Sequence, residues 1–511
     1  MELLHEIFTT SLTPIVFLYM TGGVLAGICI GALPGLTATM GVALLLPMTF
    51  GMEASQGILM LLGIYCGAIY GGSISAILLH TPGTPASAAT AIDGYALAQK
   101  GEAGRALCAA TLSSYVGGLV SVLCLWLISP QLAKLALRFS SAEFFLLAVF
   151  GLCIIGNISG KNVEKGLICG CLGVLVATVG IDSVTSYIRF CPEGNYNFMG
   201  GIQYIPIMIG LFAMSQAFEG IEDIFTKDQV QAKITRLLPS KEDFKSILRI
   251  APVTGLIGTM IGIIPGAGAD IGSFVGYNTA RSLAKHPEEF GKGSFEAICG
   301  PEGGNNGVTG GAMIPMLTLG VPGDAVTAIM IGALTIQGLT PGPMLFETNK
   351  VLVYTIFIGM FLANTLFTLF GFAGMRLFVK VLSVPKVILT PAIFVLCVLG
   401  SFAMRNSLFD VWVMFISGVI GYFLNKVKVP TSPAILGLIL GPMAEKNFRT
   451  ALLKSSGDPG VFFGSVICWF FIALIVFSLF GSQITALLKK KKSTKRRGSV
   501  RKHLCERIGV V

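Results

Sequence analysis

Four Pro-Gly doublets interrupt apolar runs of this chain, and a small polar side chain follows each within a few residues. Pro34-Gly35 precedes Thr37 and Thr39, and Thr81-Pro82-Gly83 precedes Thr84. Pro265-Gly266 precedes Gly268 and Asp270, and Pro322-Gly323 precedes Asp324 and Thr327. Proline lacks an amide hydrogen and crowds the turn before it, while glycine tolerates positive φ, so the doublet stops or kinks a helix. A helix restarted by Thr or Asp presents unpaired N–H groups and the positive end of its dipole. Such ends suit a carboxylate, and the carbonyls and hydroxyls freed at a break suit a small cation. In lipid a break persists only where protein or water satisfies the freed groups. These sixteen residues are therefore candidates for substrate binding, together with Ser73 and Ser75, which follow Gly71-Gly72; of the sixteen, Asp270 is instead assigned to cation coupling.

Ionisable and amide residues extend the list. Glu302, Asn305 and Asn306 open an apolar segment, and with Asp270 they are the candidates for cation coupling; Asp270, Asn305 and Asn306 are the expected Na⁺ ligands. An ionisable group within a membrane span is a functional hypothesis by default. The competing readings are structural: Asp324 as the cap of its own helix, Asp270 and Glu302 as interfacial loop positions, and Asp93 as a cap or loop residue. The small-residue runs GGVLAG at 22–27 and GGLVSV at 117–122 need only helix packing.

The elements that hold these residues are hydrophobic and long. The chain is 53% hydrophobic and only 12% charged, where soluble domains carry roughly a quarter charged residues. Residues 351–375 and 461–480 contain no charge, and each exceeds the roughly 18–20 residues that cross a bilayer as a helix. Similar segments recur near 13–33, 106–129, 165–181, 200–218, 245–264, 296–320 and 388–404. The expected fold is an all-α polytopic membrane protein with about 10–12 transmembrane segments, some of them broken or re-entrant. MELLHEIF lacks the basic region of a cleaved signal peptide, so the first segment is expected to be retained.

The net charge of +10 is concentrated at one end. Residues 489–511 hold ten Lys and Arg against one Glu. A basic run after a terminal apolar helix reads as a cytoplasmic anchor meeting anionic lipid rather than as a nucleic-acid site. The twelve cysteines are scattered through apolar segments without a C-x-x-C pair, so neither zinc nor redox chemistry is indicated.

Two stretches recur. Gly31–Gly41 aligns with Gly262–Gly272 at an offset of 231, and Gly71–Gly83 aligns with Gly311–Gly323 at an offset of 240. Residues 50–57, between the first pair of motifs, hold no Lys or Arg; 227–249 hold six and the later loop holds Arg281, Lys285 and Lys292. Basic loops stay cytoplasmic, so equivalent positions are expected to face opposite sides, as in inverted-topology repeats. The expected organisation is a transmembrane half over 1–220, a cytoplasmic connector over 221–249, a second half over 250–488, and the basic tail.

The motifs resemble the large membrane subunit of the tripartite tricarboxylate transporters, the TctA family. The likeness rests on PGLTATMGVALLLPMTF (34–50), YGGSISAILLHTPGTPASAATAIDGYALAQKGEAGRAL (70–107), GIIPGAGADIGSFVGYNTAR (262–281), PEGGNNGVTGGAMIPMLTLGVPGDAVTAIMIGAL (301–334) and GLTPGPMLF (338–346), with a looser match in GIDSVTSYIRF (180–190). It implies a gradient-driven importer of the bacterial inner membrane, coupled to Na⁺ or H⁺ and needing no cofactor. It further implies a small membrane subunit (TctB-like) and a periplasmic solute-binding protein (TctC-like) that delivers the carboxylate. No G-x-x-x-x-G-K-[ST] is present. His80, Ser183, Ser186 and Gln337 depart from the family pattern, and His80 stands close enough to a break to bear on substrate choice.

Two rivals remain open on the sequence. Asp270 and Asp324 could serve an intramembrane aspartyl protease, which needs two carboxylates sharing a proton, although the first repeat lacks equivalent acids. A passive channel would conduct without a binding protein.

Overall fold

The computed structural model describes residues 12–158, 163–222 and 239–479, apart from 183, 194, 195, 376 and 379–385, together with residues 6, 7 and 9. The basic tail and residues 223–238 of the expected connector lie outside the described residues. The described chain is helical, with one two-residue-per-strand antiparallel hairpin pairing Gly180–Ile181 (β1) with Ile188–Arg189 (β2). Eight helices are long and apolar enough to cross a membrane, and four shorter apolar ones accompany them, among the described residues. The expected all-α polytopic membrane fold is the one found.

In chain order the helices used below are α1 (Pro14–Ala32), α2 (Ala38–Leu45), α3 (Ala54–Leu79), α4 (Ala88–Leu97), α5 (Ala103–Ala136), α6 (Val163–Ala177), α7 (Lys241–Ile263), α8 (Gly268–Leu283), α9 (Phe295–Leu319), α10 (Ala325–Ile336), α11 (Lys350–Ala373) and α12 (Ser432–Lys454). Helix α7 starts at a capping box in which the Ser240 hydroxyl accepts from the Asp243 amide. Helix α9 does not qualify as a membrane span by apolarity, since it carries Glu296, Glu302, Asn305 and Asn306. It is nonetheless buried along its whole length. A helix that faces protein on every side does not have to be oily.

The repeat is written into the packing. Positions of closest backbone approach in the first half recur in the second, shifted by 231 on one helix and 240 on the other. A Cβ on Gly67 would meet the Val24 carbonyl oxygen at 2.5 Å, and one on Gly307 would meet that of Gly255 at 2.3 Å. Gly71 abuts Ile28 in the same way that Gly311 abuts Thr259. Gly27 abuts Ile64, and Gly258 abuts Gly304. Small residues let α1 lie on α3, and α7 on α9, at backbone contact.

Each half also lends a helix to the other. Helix α5 packs on α7 and α9, with Gly117 against the Gly303 carbonyl, whereas α11 packs on α1 and α3, with Gly371 against Tyr70. The long helices α3 and α9 point in opposite directions. Near its start, α3 sets Gly57 against Gln337, while the end of α9 meets the same region where the Gly342 amide donates to the Leu317 carbonyl at 3.1 Å. The start of α9 lies instead beside α4, where Gly293 abuts Leu97. Helix α9 is roughly 37 Å long at 1.5 Å per residue, which separates the two ends by the thickness of a bilayer.

Candidate functional site

The four corners meet. Thr37, Thr39, Thr84, Gly266, Gly268, Asp270 and Asp324 line one cavity of about 240 Å³, closed by Phe212, Ile69 and the start of α12 at Ser432. Three of the corners begin an α-helix whose first turn lines this space, and the fourth begins the short 3-10 turn Pro85–Ser87 that leads into α4. Gly35 and Gly266 take φ of +88° and +77°, and Gly268 takes +56°, conformations open to glycine at no steric cost. Gly83 and Gly323 serve a different purpose: a Cβ there would come within 1.9 Å of the Gly31 carbonyl oxygen and 2.6 Å of that of Gly262. The Gly266 amide donates to the Gly323 carbonyl at 2.6 Å, tying the two corners of the second half together.

Caps differ among the restarted helices. The Thr37 hydroxyl accepts from the Met40 amide at 3.1 Å. Asp324 and Thr327 form a capping box, with the Thr327 amide donating to Asp324 Oδ1 at 2.8 Å and the Asp324 amide donating to the Thr327 hydroxyl at 2.9 Å. Asp324 thus caps its own helix and lines the cavity as well. Thr84 is the N-cap of the short 3-10 turn Pro85–Ser87 that leads into α4 and makes no capping bond; its Oγ1 is buried against Gly72 without a hydrogen-bond partner among the described residues. Asp270 lies in the first turn of α8, exposed to the cavity, with Oδ1 folded back to 2.4 Å from where a Gly268 Cβ would sit.

The remaining sequence candidates lie behind or beside this space. Pro34, Pro82, Pro265 and Pro322 shape the corners without lining the cavity. Ser75 donates to the Gly72 carbonyl at 3.3 Å and packs against the Gly83 corner. Thr81 is exposed and donates to the Leu79 carbonyl, away from the cavity. Glu302, rather than sitting in a loop, is inside α9 and wholly buried. Its Oε2 accepts from Ser73 at 2.7 Å and Ser114 at 2.8 Å, and its Oε1 from Thr90 at 2.5 Å. One carboxylate of the second half therefore bolts three helices of the first. Asn306 donates to Asn305 Oδ1 at 2.8 Å and to the Glu302 carbonyl, and Asn305 donates to the Ala86 carbonyl at 3.1 Å. The expected trio of Asp270, Asn305 and Asn306 is thus divided, with Asp270 in the cavity wall and the asparagines in the layer behind it.

Tyr65, which the sequence did not single out, completes the arrangement. The Tyr65 hydroxyl donates to Asp324 Oδ2 at 2.5 Å across the two halves. Its repeat equivalent at offset 240 is Asn305, which reaches the Ala86 carbonyl beside Thr84. Each long helix thereby sends one polar side chain to the other half's second corner, and the offset alone would have paired them. Asp93 is a buried residue of α4 rather than a cap. It accepts from the Tyr277 hydroxyl and from the amides of Gly291, Gly293 and Ser294 at 2.8–2.9 Å. His80 terminates α3 in a left-handed conformation at φ 57°, stacked edge-on against Tyr95, where the second half has Gly320 at φ 69°. It ends a helix and does not line the cavity. The looser 180–190 motif lies well away, its Asp182 held by Arg449 at 2.7 Å and Arg189 at 2.9 Å. The Thr185 hydroxyl first, and then the Arg449 guanidinium, hold the Asp182 carboxyl well below the usual carboxylate range.

A larger cavity of about 1000 Å³ backs onto the Pro265 corner. Apart from Ser478 its lining is aliphatic, aromatic or proline, which suits acyl chains and offers nothing to an anion. The smaller cavity, by contrast, has Thr37, Thr39, Thr84, Asp270, Asp324 and Ser432 in its wall.

Broken helices meeting at a cavity with two carboxylates in its wall, inside a bundle of apolar spans, are the architecture of a membrane transport protein. The chain belongs to the tripartite tricarboxylate transporter TctA family, whose model matches residues 17–436. It is 38% identical over 455 residues to an uncharacterised 52.8 kDa protein in the TAR-I ttuC' 3' region of Agrobacterium vitis, covering 89% of this chain and 90% of that one. It is 38% identical over 205 residues to a second uncharacterised protein, in the TAR-II ttuC' 3' region of the same organism, covering 40% of this chain and 85% of that one. No solved structure matches the chain.

Proposed function

We propose that this chain is the large membrane subunit of a binding-protein-dependent secondary transporter that imports tricarboxylates or related carboxylates, driven by a Na⁺ or H⁺ gradient. One observation carries the reading: first turns of restarted helices from both halves face one cavity of about 240 Å³, lined by no Lys, Arg or His among the described residues. Helix N-termini supply the donors for a carboxylate, and Asp270 and Asp324 supply charge for the accompanying cation. A polyanion entering a negative interior moves against about 2.3 kcal/mol per charge per 100 mV, so cations must travel with it. Two oppositely directed halves rocking about a central site would give alternating access.

The small membrane subunit and the periplasmic binding protein are the partners this reading requires, in a bacterial inner membrane. The end carrying Lys100, Arg105, Lys241, Lys245, Arg249 and Lys285 is then cytoplasmic, and the connector and basic tail belong on that side. An intramembrane protease is the weaker reading. Among the described residues no hydrogen bond joins Asp270 to Asp324, whose oxygens are engaged by Tyr65 and Thr327. The test is uptake of radiolabelled citrate into vesicles holding the three components, under imposed Na⁺ and H⁺ gradients. Gradient-dependent uptake that needs the binding protein supports the proposal; conductance without that dependence makes the chain a channel.

A further inference from the structure

The repeat extends beyond the corners to two three-helix arms. Pro206 and Gly210 recur as Pro433 and Gly437 at offset 227, and Gly151 and Asn157 as Gly400 and Asn406 at offset 249. Gly170 and Gly173 recur as Gly418 and Gly421 at offset 248. The first arm packs Tyr204–Glu222 with Lys386–Arg405 and Leu408–Lys426; the second packs α12 with Ser141–Ile158 and α6. Their interiors match. A Cβ on Gly210 would meet the Met414 carbonyl oxygen at 2.3 Å and one on Gly437 that of Gly170 at 2.2 Å, while Gly421 abuts Leu211 and Gly173 abuts Ala434. Both arms reach the polar cavity, one through Phe212 and the other through Ser432 and Leu436.

Their docking does not match. The first arm lies on α2 and on the turn after it, Leu46–Thr49, where a Cβ on Gly400 would meet the Pro47 ring at 2.6 Å. The second arm makes no comparable packing on α8 among the described residues. Its Gly151 abuts Leu440 of its own arm, and its Leu147, Phe150 and Ile154 share the wall of the cavity of about 1000 Å³ with Ile264, Ala267 and Ile271. Positions equivalent at offset 231 show the result. Met40, Ala43 and Leu44 of α2 are 0%, 1% and 6% exposed, whereas Ile271, Phe274 and Val275 of α8 are 36%, 47% and 36% exposed. The open face of α8 is not a lipid-facing one. Asp270, Phe274, Asn278 and Arg281, all exposed, follow it from the polar cavity toward the end where α9 starts. Their equivalents Thr39, Ala43, Pro47 and Phe50 are not exposed. Ionisable side chains in a membrane span turn to protein or water rather than to lipid.

Resting on the transport reading above, we infer that the arms are alternating gates: the first is shut on α2, the second stands off α8, and transport exchanges the two. This structure is the state open to the cytoplasmic end. In the opposite state Gly151 comes onto Asn278 as Gly400 lies on Pro47, the apolar cavity closes, and the second arm covers the open face of α8. Each state trades one apolar arm contact for its repeat equivalent, so the two lie close enough in free energy to interconvert. The central helices α1, α3, α7 and α9, held at backbone contact, stay in place.

The experiment traps the contact that this structure lacks. In the full chain, with its native cysteines replaced and a protease site placed in the connector, the cut halves stay joined on a gel only through a new disulfide. Three pairs are compared under mild oxidation: Pro47→Cys with Gly400→Cys, Asn278→Cys with Gly151→Cys, and Glu53→Cys with Asn278→Cys as a collision control from opposite ends. The first two pairs join and the control does not. Gly400→Leu wedges the first arm off Pro47, so it speeds the bond between positions 151 and 278 by about fivefold or more. It slows maleimide labelling of a single Phe274→Cys by a similar factor, and Gly400→Ala acts in the same direction more weakly. Circular dichroism and elution as a single species establish that each variant is folded, and the Phe274→Cys measurement alters no packed glycine on the second arm. Failure of positions 151 and 278 to join in a folded chain, or labelling of Phe274→Cys that ignores both substitutions at Gly400, overturns the gates. Cross-linking needs neither gradient nor partner. A chain that takes up citrate without this pattern refutes the gates alone, and one that shows both contacts yet never takes up citrate with its partners refutes the transport reading alone.

Discussion

The Tyr65 hydroxyl joins the two halves through a single bond to Asp324, and no hydrogen bond or ion pair from Lys, Arg or His reaches either group among the described residues. A hydrogen bond to a charged group contributes about 1.5–3 kcal/mol. Tyr65→Phe keeps the ring and removes that bond, so it should lower the thermal midpoint of the purified protein and shift the Na⁺ dependence of uptake, while leaving the helical content unchanged. An unaltered midpoint and cation dependence would mean that the contact is incidental. Asp270→Asn is isosteric at a position in the cavity wall; it should abolish uptake while the protein still inserts and accumulates. Uptake near wild type would remove Asp270 from the site. Asp270 and Asp324 were legible in the sequence because acids inside apolar runs stand out. Tyr65, Thr90 and Ser114 were not, since a lone polar residue in a long apolar helix has no local spacing signal and their partners lie more than 180 positions away.

Close backbone contact at glycine fixes how the long helices lie on one another. Gly23 faces the Met60 carbonyl at 2.3 Å from its would-be Cβ, whereas its neighbour Gly22 has nothing within 4 Å. Overpacking of this kind costs about 1–3 kcal/mol, and alanine is favoured over glycine in a helix by about 1 kcal/mol. Gly23→Ala should therefore lower the melting temperature and Gly22→Ala raise it or leave it unchanged. Gly83→Ala, aimed at the Gly31 carbonyl, should be worse than either. Pro322→Ala acts differently: it restores an amide at a corner and relaxes the stop, so uptake should fall to background with insertion intact. The corners were readable from Pro-Gly alone. The termination at His80 was not, although the offset of 240 that maps it onto Gly320 held the answer. A left-handed cap asks for Gly, Asn or His, which explains a departure from the family pattern without invoking the substrate.

At the scale of the whole molecule, the offsets of 231 and 240 predict which residues share an end. Glu53 and Glu347 lie where the start of α3 meets the end of the second half's repeat; Lys100 and Glu289 lie at the other end, beside the ion pairs of Arg105 with Asp243 and Arg249 with Glu296. All four are exposed. Equivalent loops of the two halves thus occupy opposite ends, with the apolar spans between them. The charge pattern pointed to this inversion only faintly, because Arg189, Arg405 and Arg449 place basic residues at the first end too; ion pairs with Asp182, Glu445 and Asp410 neutralise them there. Single cysteines introduced at the four positions, compared against the unmodified chain, should separate under a membrane-impermeant maleimide. In right-side-out vesicles the substitutions at Glu53 and Glu347 should react and those at Lys100 and Glu289 should not, with the pattern reversed in inside-out vesicles. Labelling of Glu53→Cys and Glu289→Cys from the same side would put equivalent loops together, and the halves would then be parallel repeats rather than inverted ones.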